Sequence, residues 1–224
     1  MEGEAILDNV LDNSEQQENL SDKDIFIKIW TSPRKIFRYI NDRHYDKYVV
    51  ILLVLSGISR AFNQAATKNM GDKMSILSIL GLCIIGGGLL GWLTYYIYAA
   101  LISWTGKWLK GEGNTDSILR IISYAMIPSV VALIFLIPQI AVYGNEMFKA
   151  DGDIVNAGLI SNIFVYLSLL LEITFGIWTL VLCVIGISVV QKFSIGKSIL
   201  NMLMPGLLLL AIVLPIVLLI TILR

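Results

Sequence analysis

Five stretches of the chain, residues 48–65, 76–104, 123–143, 162–190 and 199–223, run for 18, 29, 21, 29 and 25 residues with only two charged side chains among them, Arg60 and Glu172. A bilayer's hydrocarbon core is about 30 Å thick and is crossed by about 20 apolar residues at ~1.5 Å each in a helix. Inside lipid every backbone N–H and C=O must be satisfied within the spanning structure, and apolar blocks of this length do so as helices. The fold class that follows is all-α: a polytopic membrane bundle of five transmembrane helices, with short amphipathic interfacial helices at the N-terminus. Composition agrees, because only 15% of the 224 residues are charged, against roughly 25% in average soluble chains. The two longest blocks exceed the minimum, so those helices are expected to tilt or protrude.

Outside the blocks, charge is segregated. Residues 1–22 are rich in Glu, Asp, Asn and Gln, which leaves too little apolar area to offset the entropy of ordering them; an acidic, disordered tail is expected. Residues 23–47 form an amphipathic segment. Ser21 is placed to cap a short helix with Ile25, Phe26, Ile29 and Trp30 on one side. Ser32 and Pro33 start a second, in which Ile36, Phe37, Tyr39 and Ile40 alternate with Arg34, Lys35 and Arg38. Both suit the membrane interface, with Trp30, Arg34, Lys35 and Arg38 contacting the membrane surface or a partner; a cap packed on protein is the alternative. Residues 48–224 complete the transmembrane domain.

Lysines and arginines set the orientation. Twelve fall in 23–47, at Lys107, Lys110 and Arg120, and at Lys192 and Lys197, against five at Arg60, Lys68, Lys73, Lys149 and Arg224. The positive-inside rule then predicts a cytoplasmic N-terminus and an outward C-terminus. Basic residues that abut spans point to lipid rather than nucleic acid as a partner.

Several chemistries drop out. Cys83 and Cys183 lie in apolar stretches as packing residues, and His44 stands alone, so no metal site or cofactor is expected. Gly196-Lys197-Ser198 mimics the end of a phosphate loop, yet Gln191 stands where the pattern needs glycine and an apolar helix precedes it. Gly106, Gly111 and Gly113 read as a turn that ends by capping the next helix with Thr115 or Asp116. Spans three and five each carry prolines ten residues apart, Pro128 with Pro138 and Pro205 with Pro215, which suggests that the second–third and fourth–fifth hairpins are parallel repeats. In span two, the Gly87–Gly91 spacing lets a second helix approach, within one subunit or between two copies.

Glu172 is the most informative residue. An ionised carboxylate near the middle of a span costs about 2.5–3.5 kcal/mol on insertion scales, so it needs compensation. Helical steps of three and four place Ser168, Glu172, Gly176 and Thr179 on one face, a small and polar stripe expected to look into the bundle. Arg60 is the expected partner, because ~18 Å of rise from Tyr48 and ~15 Å of descent from Asn162 bring the two to similar depth.

The segments Trp30-Thr-Ser-Pro-Arg-Lys-Ile-Phe37, Arg120-Ile-Ile-Ser-Tyr-Ala-Met-Ile-Pro128 and Gly186-Ile-Ser-Val-Val-Gln-Lys-Phe-Ser-Ile-Gly-Lys197, the last preceded by Trp178, resemble in order and spacing the Yip-one domain family of Ypt/Rab-interacting proteins. The resemblance covers about residues 22–224. It implies five spans with a cytoplasmic N-terminus; eukaryotic relatives are linked to vesicle trafficking, while the short tail here looks more like a prokaryotic member of a cytoplasmic (inner) membrane. The expected function is a non-catalytic membrane protein that organises protein partners or lipids, with lipids, a membrane or cytoplasmic protein, or a second copy of the chain as partners. The alternative is a transporter, channel or lipid-moving protein that uses the stripe around Glu172. No His-Glu-x-x-His and no paired aspartates in the spans support an intramembrane enzyme.

Overall fold

The computed structural model describes residues 20–152 and 159–222; all but the last three residues of the expected acidic tail lie outside them. The described chain is helical between turns: α1 (Asp22–Lys28), α2 (Pro33–Asp42), α3 (Val49–Thr67), α4 (Ile76–Gly81), α5 (Gly87–Trp108), α6 (Thr115–Ala125), α7 (Ile127–Tyr143), α8 (Leu159–Gln191) and α9 (Ile195–Ile222). Five segments are long and apolar enough to cross a membrane. They are α3; α4 and α5 joined through a π turn at Leu82–Gly86; α6 with α7; α8; and α9. The third begins at Thr115, eight residues before the sequence boundary, because Arg120 is buried and paired and so does not end the span.

Local chemistry explains the helix ends. Ser21 and Asp24 form a reciprocal capping box on α1. Pro33 takes the first position of α2, but the Ser32 side chain makes no capping bond. The α6 cap is Asn114, whose side chain accepts the Ser117 N–H at 2.8 Å, instead of Thr115 or Asp116. Pro128 cannot donate to the carbonyl four residues back, and its ring would strike it, so the helix breaks at Met126 and restarts as α7. Pro205, by contrast, lies inside the continuous α9. The first proline of each pair that suggested a repeat therefore occupies a different structural position, while Pro138 and Pro215 both lie inside helices.

Packing is densest toward the end of the bundle that carries the N-terminal segment. Ile25, Ile29, Ile36, Phe37 and Ile40 are fully buried in one cluster with Ile118, Ile121, Ile122, Leu182 and Ile187. The apolar faces of α1 and α2 thus turn into the bundle, with Trp30 meeting the Phe175 ring edge-on at 6.0 Å. Burying each such side chain is worth about 1.5–3 kcal/mol relative to water. Phe37 and its neighbours are occupied by protein and not by lipid. A smaller cluster at the opposite end joins Phe62, Ala65, Ile79, Cys83 and Phe148.

Three glycines set the α3–α5 contact. A methyl group built on Gly57 would lie 2.4 Å from the Gly87 carbonyl oxygen and 2.7 Å from the Gly91 Cα, so backbone meets backbone there. This is the subunit-internal use of the Gly87–Gly91 spacing, with Gly57 as its partner.

Candidate functional site

The turns after α2, α5 and α8 gather on the face that carries the N-terminal segment and enclose a recess of about 790 Å³. Arg34 and Arg38 of α2, His44, Glu112 and Asn114 of the α5–α6 turn, and Lys192 line it, with Asp42 also at the wall. Cations and carboxylates are interleaved, and Lys192 pairs with Glu112 at 2.7 Å, which raises the lysine above its ordinary range. Arg34 and Arg38 are exposed and Lys35 half-buried. Trp30 faces the bundle instead of joining them.

The backbone around the recess is unusual. The turns after α2, α5 and α8 place His44, Lys110 and Lys192 at φ of 49°, 65° and 54°, the left-handed region that favours glycine. Each turn is closed by the hydrogen bond from the following residue, as Tyr45 N–H to the Ile40 carbonyl at 3.0 Å and Phe193 N–H to the Ser188 carbonyl at 3.0 Å. A β-carbon in that region costs about 1–2 kcal/mol. Helix ends that glycine would close more cheaply here keep basic side chains, two of them at the recess.

A polar knot holds the floor. Gln191 accepts the Gly113 N–H at 2.9 Å and donates to Asn201 Oδ1 at 3.3 Å, while Asn201 donates to Thr105 Oγ1 at 2.8 Å. All three side chains are buried. Gly106, Gly111 and Gly113 pack against Gln191 so closely that a methyl group on any of them would meet it or Val190 at 2.1–2.7 Å. The glycines read from the sequence as a turn are thus the mould for one glutamine.

Two further charge clusters tie α1 and α2 to the spans. Arg120, 7% exposed, grips Asp46 through Nε at 2.6 Å and a terminal guanidinium nitrogen at 3.2 Å. Asp22 accepts from Lys47, Tyr45 and Tyr48 together. Lys47, then the two tyrosines, hold the Asp22 carboxyl well below the usual carboxylate range. Desolvation and then Asp22 push the Tyr45 phenol far above its own. Sequence reasoning missed these groups, as it missed Gln191 and Asn201. Arg120 standing beside a span was a signal without an address.

Within the spans, Glu172 is half-buried and accepts a hydrogen bond from Gln139 Nε2 at 3.1 Å. It lines a small recess of about 90 Å³ with Ser59, Asn63, Ser129 and Gly176. Thr179 and Ser129 share a hydrogen bond at 3.0 Å, Ser59 donates to the Ser129 carbonyl at 3.3 Å, and Ser168 is buried. Gly176 opens into the recess and packs no helix, since a methyl group there would meet nothing within 4 Å. Arg60 is not the partner of Glu172. It is exposed and lines a separate groove, because one residue along a helix turns the side chain by about 100° and Ser59 is the residue that faces the Glu172 recess.

A helical chain with five segments able to cross a bilayer is a multi-pass membrane protein. The model of the Yip1 domain matches residues 27–217, and the chain belongs to the Yip1 domain family. No curated protein and no solved structure matches it.

Proposed function

We propose that the protein is a non-catalytic organiser that seats a polar segment of a partner protein in the recess on its N-terminal face. The observation that carries this is the interleaving of Arg34, Arg38 and Lys192 with Asp42 and Glu112 around one opening. A bare anion favours an all-basic lining, whereas mixed charge matches a peptide that bears both signs. Family membership supports a membrane-based interaction role. The serines at the recess support a non-catalytic reading: Ser188 Oγ donates to the Phe193 carbonyl and Ser117 Oγ to the Asn114 carbonyl, so neither is set against His44 as a nucleophile. The cation count supports placing this face in the cytoplasm. The transporter reading has less support, because the Glu172 recess is small and Gln139 already engages the carboxylate.

A photo-crosslinker at Glu112, activated in the native membrane, tests the proposal. A discrete protein adduct that disappears in the Arg34→Glu, Arg38→Glu double variant is expected. Adducts with lipid alone, or a protein adduct indifferent to those charges, would overturn it.

A further inference from the structure

At the opposite end of the bundle a second groove, of about 570 Å³, runs between α3 and the α4–α5 span. Lys68 and Lys73 line its outer end and Arg60 lies deeper, and among the described residues no Asp or Glu lines it. Among the described residues none of these cations is joined to a carboxylate. The nearest acid in sequence, Asp72, accepts the Ala150 N–H at 3.3 Å instead. Arg60 is the odd member: it is exposed, yet it sits about 10 Å along α3 from the Thr67 end, inside the span. A guanidinium at that depth needs an anion or a route to the head-group layer.

Beside the cations much of the lining is apolar or bare. Met74, Leu82 and Leu90 are apolar, and Gly86, Gly87 and Gly91 leave the wall without side chains. The π turn at Leu82–Gly86 adds a residue to the helix where it borders the groove, a local widening that recurs at functional sites. The result is a groove that sets three cations beside an apolar wall. The volume falls in the range of small-molecule sites, roughly 300–1,000 Å³.

We infer that this groove holds an anionic glycerophospholipid of the leaflet opposite the N-terminal face, its phosphate on Arg60, Lys68 and Lys73 and one acyl chain along Leu82, Gly86 and Leu90. Charge complementarity selects the occupant. Three cations with no carboxylate beside them among the described residues favour net negative charge, and the apolar wall next to them favours a hydrocarbon chain attached to it. This site is independent of the recess on the N-terminal face and shares no residue with it.

The test uses the full chain purified in detergent and presented with phosphatidylglycerol against phosphatidylcholine, with bound lipid counted by native mass spectrometry and thermal melting recorded for every variant. The wild-type chain is expected to retain one phosphatidylglycerol in preference to phosphatidylcholine. Affinity should fall about fivefold for each charge removed in Arg60→Gln, Lys68→Gln and Lys73→Gln. Leu90→Trp, which fills the groove and keeps every charge, should also lower retention, and Arg34→Gln with Arg38→Gln should leave it unchanged. No preference for the anionic lipid, equal retention in the triple variant, or loss on changing Arg34 and Arg38 instead would overturn the site. So would a photo-crosslinker at Gln64 that captures a polypeptide in place of lipid.

Discussion

Single residues decide how closely these helices approach. Gly57 and Gly91 each face backbone, which cannot rotate away, so Gly57→Ala or Gly91→Ala should cost about 1–3 kcal/mol and lower the melting temperature in detergent. Gly176→Ala, with open space at its α-carbon inside a helix, should not lower the melt and should stabilise by up to about 1 kcal/mol. Lys110 offers the reverse case. It sits at φ 65° on an exposed turn, so Lys110→Gly is expected to raise stability by about 1 kcal/mol, and a lower melting temperature would mean that the side chain holds something the backbone strain offsets. The sequence made Gly87 and Gly91 legible because a four-residue spacing is a pattern. Gly57 is a lone glycine in its span, and only the third dimension shows what it meets.

At the scale of elements, α1 is fastened by the Asp22 cluster. The sign of its pH dependence follows from the folded carboxyl being held below its ordinary value of 3.8. The contribution is complete above that value and is lost as pH falls through the depressed one. Acidification into that window should therefore release α1, and Asp22→Asn should release it at neutral pH. Fluorescence of Trp30, packed on Phe175, reports the event, and an unchanged Trp30 signal in Asp22→Asn would refute the fastening role. The amphipathic pattern of α1 and α2 was readable from residue spacing, but spacing cannot say whether an apolar face meets lipid or protein. Buried Ile36, Phe37 and Ile40 answer that. The early start of α6 was unreadable for a related reason: the carboxylate that neutralises Arg120 is Asp46, 74 residues away.

At the scale of the molecule, the path of five spans makes a topological prediction. Cys83 and Cys183 are buried, 1% and 4% exposed, so an impermeant thiol reagent should report introduced cysteines without background. Glu112→Cys and Asp151→Cys, both exposed, should label from opposite sides of the membrane, with position 112 on the cytoplasmic side. Labelling from one side would refute the five-span path. The number of spans was legible because apolar length is a one-dimensional property. The pairing of Arg60 with Glu172 was not, because depth along a helix can be summed from residues while direction around it depends on which neighbours the bundle supplies. That is why Gln139, itself 9% exposed, and not the arginine meets the glutamate. The last helix carries a mechanical consequence. Ser198 and Asn201 are fully buried, Asn201 in the knot around Gln191, whereas Leu207, Leu209, Leu210, Ile212 and Leu214 are 54–64% exposed and lie on the outside of the bundle. The helix is a rod clamped near one end. From Asn201 to Ile222 it projects roughly 30 Å, so a pivot of about 10° at the clamp sweeps its tip by about 5 Å. An event that loosens Gln191 on one face of the bilayer would then appear, amplified, as displacement on the other.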